Sequence, residues 1–218
     1  MRILIATDAW HPQVNGVVRT LSTVAREIEP LGASISFLTP DRFPTIALPI
    51  YREIRLAIAR PKAVAALIAE ARVDAIHIAT EGPIGHAVRG FCCERGIPFT
   101  TSFHTRFPEY VSARVPIPES WTWSWLRRFH APATTVLAAT PTLAGELAGR
   151  GFRSVAIWPR GVDTGLFRPR PDARLDLPRP IFLTVGRVAP RCFAEYCAQA
   201  GLQRRGTRVA ELSHTVAT

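Results

Sequence analysis

The sequence predicts an α/β fold, a Rossmann-like doubly wound parallel sheet. Three observations predict it. Short aliphatic runs alternate with helical periodicities from Arg2 to Trp158, the pattern of successive βαβ units. Right-handed crossovers between such units place helices on both faces of a mostly parallel sheet. The chain has 218 residues, 47% apolar and 20% charged, which suits one packed domain and excludes a charged, disordered chain.

Each element has a local cause. Arg2 to Thr7 is a compact aliphatic strand. Val17 to Leu31 is a helix, with Val17, Leu21, Val24 and Ile28 on one face and Gly32 at its stop. Ala33 to Thr39 is the second strand, and Pro40 to Arg60, broken by three prolines (Pro40, Pro44, Pro49), is irregular. Pro61 opens a helix running to Arg72, because a missing N–H costs nothing in a first turn. Asp74 to Ala79 is a strand, Ile84 to Arg95 a helix closed by Gly96, and Pro98 to Phe103 a strand. After a loop from His104 to Pro118 come a helix, Glu119 to His130, and a strand, Thr134 to Ala138. Thr140 caps a helix that Gly149 and Gly151 close, Arg153 to Trp158 is a strand, and Pro159 to Pro180 is a linker with five prolines. Ile181 to Val185 is one more strand.

Charge and cysteines exclude several function classes. Lys+Arg 27 against Asp+Glu 17 leaves a net charge of +10, nearly all arginine, since Lys62 is the one lysine. The arginines form no block or stripe, so nucleic acid is not an expected partner. Four cysteines without metal-clip or framework spacing fit a reduced, cytoplasmic protein. No run approaches the ~18 apolar residues of a membrane span. Neither G-x-S-x-G nor H-E-x-x-H occurs.

In a doubly wound sheet, ligands bind at the carboxyl ends of the strands. Three loops there carry candidate chemistry. Asn15-Gly16 opens the first helix, where exposed amides favour an anion and a glycine admits close approach; a plain strand-to-helix turn is the other reading. Glu81, in Thr80-Glu81-Gly82-Pro83, either accepts hydrogen bonds from a hydroxylated ligand or complements the next helix's dipole. His104 follows a strand directly and is flanked by Ser102, Thr105, Arg106 and Glu109. His77, inside a strand, reads as structural, and His11, His86 and His130 have no partner visible in the sequence. Within Glu119 to His130, Trp125 and Phe129 read as packing and Trp123 as exposed. An amphipathic surface for a lipid or sugar acceptor, helped by Arg127 and Arg128, is the alternative.

Together these loops resemble the family-4 glycosyltransferases of the two-domain GT-B fold, in particular the α-mannosyltransferase and glycolipid-synthase-like branch. The residues that carry the likeness are Thr7-Asp8…Pro12…Asn15-Gly16-Val17-Val18-Arg19-Thr20, Glu81-Gly82-Pro83-x-Gly85, Pro98 to Tyr110, and Trp158-Pro159-Arg160-Gly161-Val162-Asp163. Val185-Gly186-Arg187 resembles the start of the family's C-terminal domain. The resemblance implies the N-terminal half of a GT-B enzyme: residues 1–168 as the acceptor-side domain, 169–189 as linker and first strand of a second domain.

It also implies retaining transfer of a mannose- or glucose-like hexose from a nucleotide-diphosphate sugar to a lipid or other hydroxyl acceptor. His104 would then be catalytic, Gly16 and Arg187 donor-binding, and Glu81, Asn15 and Arg106 acceptor-binding. No cofactor or metal is expected, because basic side chains and amides take that role. Location would be cytoplasmic, peripheral at the inner face of the membrane. Beyond Ala189 the chain departs from the family: no lysine follows Arg187, and no Glu-x7-Glu element follows. Residues 190–218 are therefore expected to be an aberrant, frameshifted or disordered tail, and the chain alone inactive. A non-catalytic acceptor-binding half-domain is the alternative.

Overall fold

Strand β1, Arg2–Ala6, buries Leu4, Ile5 and Ala6, and successive side chains serve opposite faces of the sheet. A strand apolar on both faces belongs inside a parallel sheet covered on both sides. In this computed structural model, which describes residues 1–13, 15–47, 55–104 and 118–169, β1 pairs in parallel with β2, Ser34–Leu38, on one side. On its other side lies β5, Ala75–Ile78. The sheet continues through β6 (Thr100–Phe103), β7 (Thr135–Ala138) and β8 (Val155–Ile157), all parallel, in the order β2-β1-β5-β6-β7-β8. The chain reverses its direction of travel across the sheet between β1 and β5, so their carboxyl ends flank the topological switch point.

The core divides by face. Leu4, Ala6, Ile76 and Ile78 pack with Val64 and Ile68 of α2 (Pro61–Ala71) and with Ile84, Val88 and Cys92 of α3 (Pro83–Arg95). Ile5 and Ala79 instead pack with Leu21 of α1 (Gly16–Ile28). Phe103, Val136 and Ala138 join Trp123 and Leu126 of α4 (Glu119–His130) and Leu147 of α5 (Pro141–Gly149). The two-faced layout expected of a doubly wound sheet is present. Gly32 closes the 3-10 turn (Glu29–Leu31) that follows α1, and Gly96 closes α3, at φ 77° and 64°, in the left-handed region that glycine enters freely.

Three details differ from the sequence reading. The stretch read as irregular contains an antiparallel pair, β3 (Thr45–Ala47) with β4 (Arg55–Ala57). Three residues per strand are too few for a visible alternation. Trp123, expected to be exposed, is 5% exposed, stacked on Phe103 and with the Arg150 guanidinium 3.9 Å from its ring centroid. Trp125, expected to pack, is 38% exposed and Trp121 71%. The helix turns a different edge to the sheet because Leu126, Phe129 and His130 are its buried anchors.

The chain separates into two units, Met1–Phe167 and Arg168–Thr218. Arg106, Arg187, the strand expected at Ile181 to Val185 and the tail from residue 190 all lie outside the described residues.

Candidate functional site

The switch point is organised by Asp8, which follows β1. One of its carboxylate oxygens accepts from the Ile84 amide at 2.8 Å, the other from the Gly85 amide at 3.3 Å and the Thr80 hydroxyl at 2.9 Å. The Asp8 amide in turn donates to the Thr80 oxygen at 2.7 Å. Asp8 thus caps α3 from across the sheet and ties the β1 and β5 loops together. Burial raises its pKa, opposed by these hydrogen bonds. Gly82 is needed because a Cβ there would collide with the Asp8 side chain.

With Asp8 at the α3 terminus, Glu81 is left for another task. Its carboxylate meets Nε2 of His130 at 3.3 Å, and Nδ1 of His130 meets the Thr101 hydroxyl at 2.8 Å. His130 is 2% exposed, so α4 carries a buried imidazole that holds Glu81 at the ligand end of β5. His77 is a second buried imidazole, with Nδ1 2.8 Å from the Thr100 hydroxyl and Nε2 2.8 Å from that of Ser102. Its reading as structural agrees with this geometry.

Burial, with the nearby His104, depresses the pKa of His77 to about 3. Between the ordinary 6.5 and that value, the unfolded chain binds a proton that folded His77 refuses. Stability is therefore present above about pH 6.5 and lost as pH falls, by up to about 1.4 kcal/mol per pH unit. Urea unfolding at pH 7 and pH 5 should show this slope in the parent chain and a shallower one in His77→Gln. Equal slopes would remove His77 from the account of acid sensitivity.

The third group lies at the start of α1. Asn15 caps the helix, its side-chain oxygen accepting from the Val17 and Val18 amides, both at 3.0 Å, while its NH2 donates to Gln13 at 3.2 Å. A Cβ on Gly16 would stand 3.5 Å from the Arg160 guanidinium. Arg160, on the loop after β8, also donates to the His104 carbonyl oxygen at 3.1 Å and reaches its Nδ1 at 3.4 Å. The loops after β6 and β8 and the start of α1 therefore meet at one guanidinium. Burial and then the Arg160 charge lower the His104 pKa to about 4, so its imidazole is neutral at pH 7. Its Nε2 is buried without a hydrogen-bond partner among the described residues. Such a surface offers the Arg160 charge, the positive end of the α1 dipole and a neutral imidazole to an anionic, oxygen-rich ligand.

Of the residues singled out from sequence, the structure joins Gly16 and His104 through Arg160, ties Glu81 to His130, and gives Asn15 a capping bond. Sequence reasoning assigned no role to Asp8, Arg160 or His130. The first two stand inside motifs that carry the resemblance, whereas His130, in the last turn of α4, has no local signal.

The sequence profile of Glycosyltransferase Family 4 matches residues 14–166. The chain belongs to that family. Its parallel sheet with helices on both faces is accordingly the Rossmann-like arrangement of the GT-B fold. A sucrose-phosphate synthase from Thermosynechococcus elongatus superposes over 81% of this chain and 53% of its own, with TM-score 0.56 at 19% identity. GDP-mannose-dependent alpha-mannosyltransferases from Mycolicibacterium smegmatis and Mycobacterium tuberculosis are 26% and 25% identical over 91% and 87% of this chain. The chain spans 59% and 57% of those relatives' lengths. An alpha-monoglucosyldiacylglycerol synthase of Streptococcus pneumoniae is 27% identical over 51% of this chain and 28% of its own. No helix among the described residues is long and apolar enough to cross a membrane.

Proposed function

We propose that this chain is the acceptor-side part of a retaining glycosyltransferase, which moves a mannose- or glucose-like hexose from a nucleotide-diphosphate sugar to a lipid or other hydroxyl acceptor. The observation that carries the reading is the convergence of Gly16, His104 and Arg160 at the ligand edge of the sheet. The names of the mannosyltransferase and glucosyldiacylglycerol synthase relatives support the sugar and acceptor classes.

In this reading the donor diphosphate comes against the first turn of α1, where Gly16 leaves the backbone open. His104 contacts the transferred hexose. Glu81, oriented by His130, and Asn15 serve the acceptor side. Basic side chains and the positive end of the α1 dipole supply the positive charge, with no metal or cofactor. A lipid acceptor would bring the chain to the inner face of a membrane, where exposed Trp121 and Trp125 with Arg127 and Arg128 suit the interface.

The chain alone should not turn over a donor, since rate comes only from groups present in the transition state. The test joins residues 1–168 to the C-terminal half of a mannosyltransferase relative and assays hexosyl transfer from GDP-mannose to a lipid acceptor. The fusion should transfer with retained anomeric configuration, and His104→Ala should lower kcat by about 100-fold or more without lowering Tm. Acceptor binding without transfer would favour the non-catalytic half-domain. Full activity in His104→Ala would overturn the catalytic role.

A further inference from the structure

We infer that Arg160 is a positioning residue that holds His104 in one neutral tautomer, with the proton on Nε2, and so presents it as a hydrogen-bond donor to an oxygen of the bound ligand. Naming that oxygen as one of the transferred hexose rests on the function proposed above. The tautomer itself does not.

A guanidinium has donors and no acceptor. Nη2 of Arg160 lies 3.1 Å from the carbonyl oxygen of His104 and 3.4 Å from its Nδ1. One nitrogen with two hydrogens can serve both, provided that Nδ1 accepts. A proton on Nδ1 would point at another donor. In a neutral imidazole the remaining nitrogen then carries the proton. That nitrogen, Nε2, is buried and has no partner among the described residues. A buried N–H left unpaired is unfavourable, so the arrangement suits a group held ready for a ligand.

The neighbours of His104 favour the neutral form. Arg160 approaches from the loop after β8, and the uncharged Trp158 ring lies 6.0 Å away between centroids. His77, on the adjoining strand β5, is itself neutral near pH 7. An imidazole whose conjugate acid ionises near pH 4 is a weak base at pH 7. Taking a proton from the acceptor hydroxyl is therefore not the task this geometry equips His104 for. Donating a directed hydrogen bond is.

The test is 15N NMR of the ligand-free chain at pH 7, with its six histidines labelled and His104 assigned through His104→Gln. The parent chain should show an unprotonated Nδ1 and a protonated Nε2 at His104, in at least about tenfold excess over the other tautomer, the ratio one hydrogen bond to a charged donor sustains. Arg160→Met should mix the tautomers and raise the His104 pKa. Arg160 is exposed, so the variant should melt with the parent. A protonated Nδ1 in the parent, or an unchanged tautomer ratio in Arg160→Met, would overturn the inference. GDP-mannose added to the fusion should shift the Nε2–H resonance with the ring still neutral. Conversion to imidazolium would overturn the donor role. Failure of the fusion to transfer a hexose would count against the proposed function alone.

Discussion

Asp8→Ala should cost about 3 kcal/mol of folding free energy and lower Tm by about 10 °C, measured by urea and thermal unfolding. Three donors now satisfied by the carboxylate, the Ile84 and Gly85 amides and the Thr80 hydroxyl, would be left in a site that is largely closed to water. The α3 terminus would lose its cap together with its link to β1. Asp8→Asn keeps one acceptor but turns an NH2 towards a backbone N–H, so it should fall between the parent and the alanine variant.

The pH dependence of that pair has a definite sign. Burial raises the Asp8 pKa above its ordinary value, so the folded chain holds the proton more tightly than the unfolded chain does. The contribution of that proton is complete below the unfolded pKa and is lost as pH rises through the folded one. The stability advantage of the parent over Asp8→Asn should therefore shrink from about pH 4 upward. An advantage that grew with pH would mean that the hydrogen bonds outweigh desolvation.

Gly85→Ala should be as damaging, at about 3 kcal/mol or more, for a steric reason. A Cβ at this position would run into the carbonyl oxygen of Thr80 and stand 3.1 Å from the Ile78 side chain. The first obstacle is backbone and cannot rotate away. Relieving it means moving the β5 loop, which carries Thr80 away from Asp8 and Glu81 away from His130. Gly90, in the same helix, is the internal control, because a Cβ there meets nothing within 4 Å. Gly90→Ala should stabilise by about 0.5–1 kcal/mol through helix propensity alone. Equal tolerance of alanine at both positions would refute the steric account of the Gly82-Pro83-x-Gly85 motif.

The elements that were legible in the sequence are those with a strong local cause. Helix α4 runs from Glu119 to His130 as its pattern predicts, and Gly32, Gly96 and Thr140 end or begin helices where their chemistry requires it. The parallel order of the sheet followed from alternation of apolar runs and helical periods, because parallel strands need crossovers. Which edge of α4 faces the sheet was not legible. Trp121, Trp123 and Trp125 are alike in composition, and only the positions of Phe103 and Phe152 decide that Trp123 is the one enclosed.

The site divides the same way. The sequence by itself determined that Gly16 stands at a helix start, that Glu81 and His104 follow strands, and that these loops share one edge of the sheet. Each of those facts depends on neighbours in the chain. Only the tertiary structure decided that Asp8 rather than Glu81 caps α3, that His130 holds Glu81 from 49 residues away, and that Arg160 reaches His104 from 56 residues away while standing beside Gly16. Those partners are chosen by strand order and register, which bring distant loops within hydrogen-bond reach, and no local pattern encodes them.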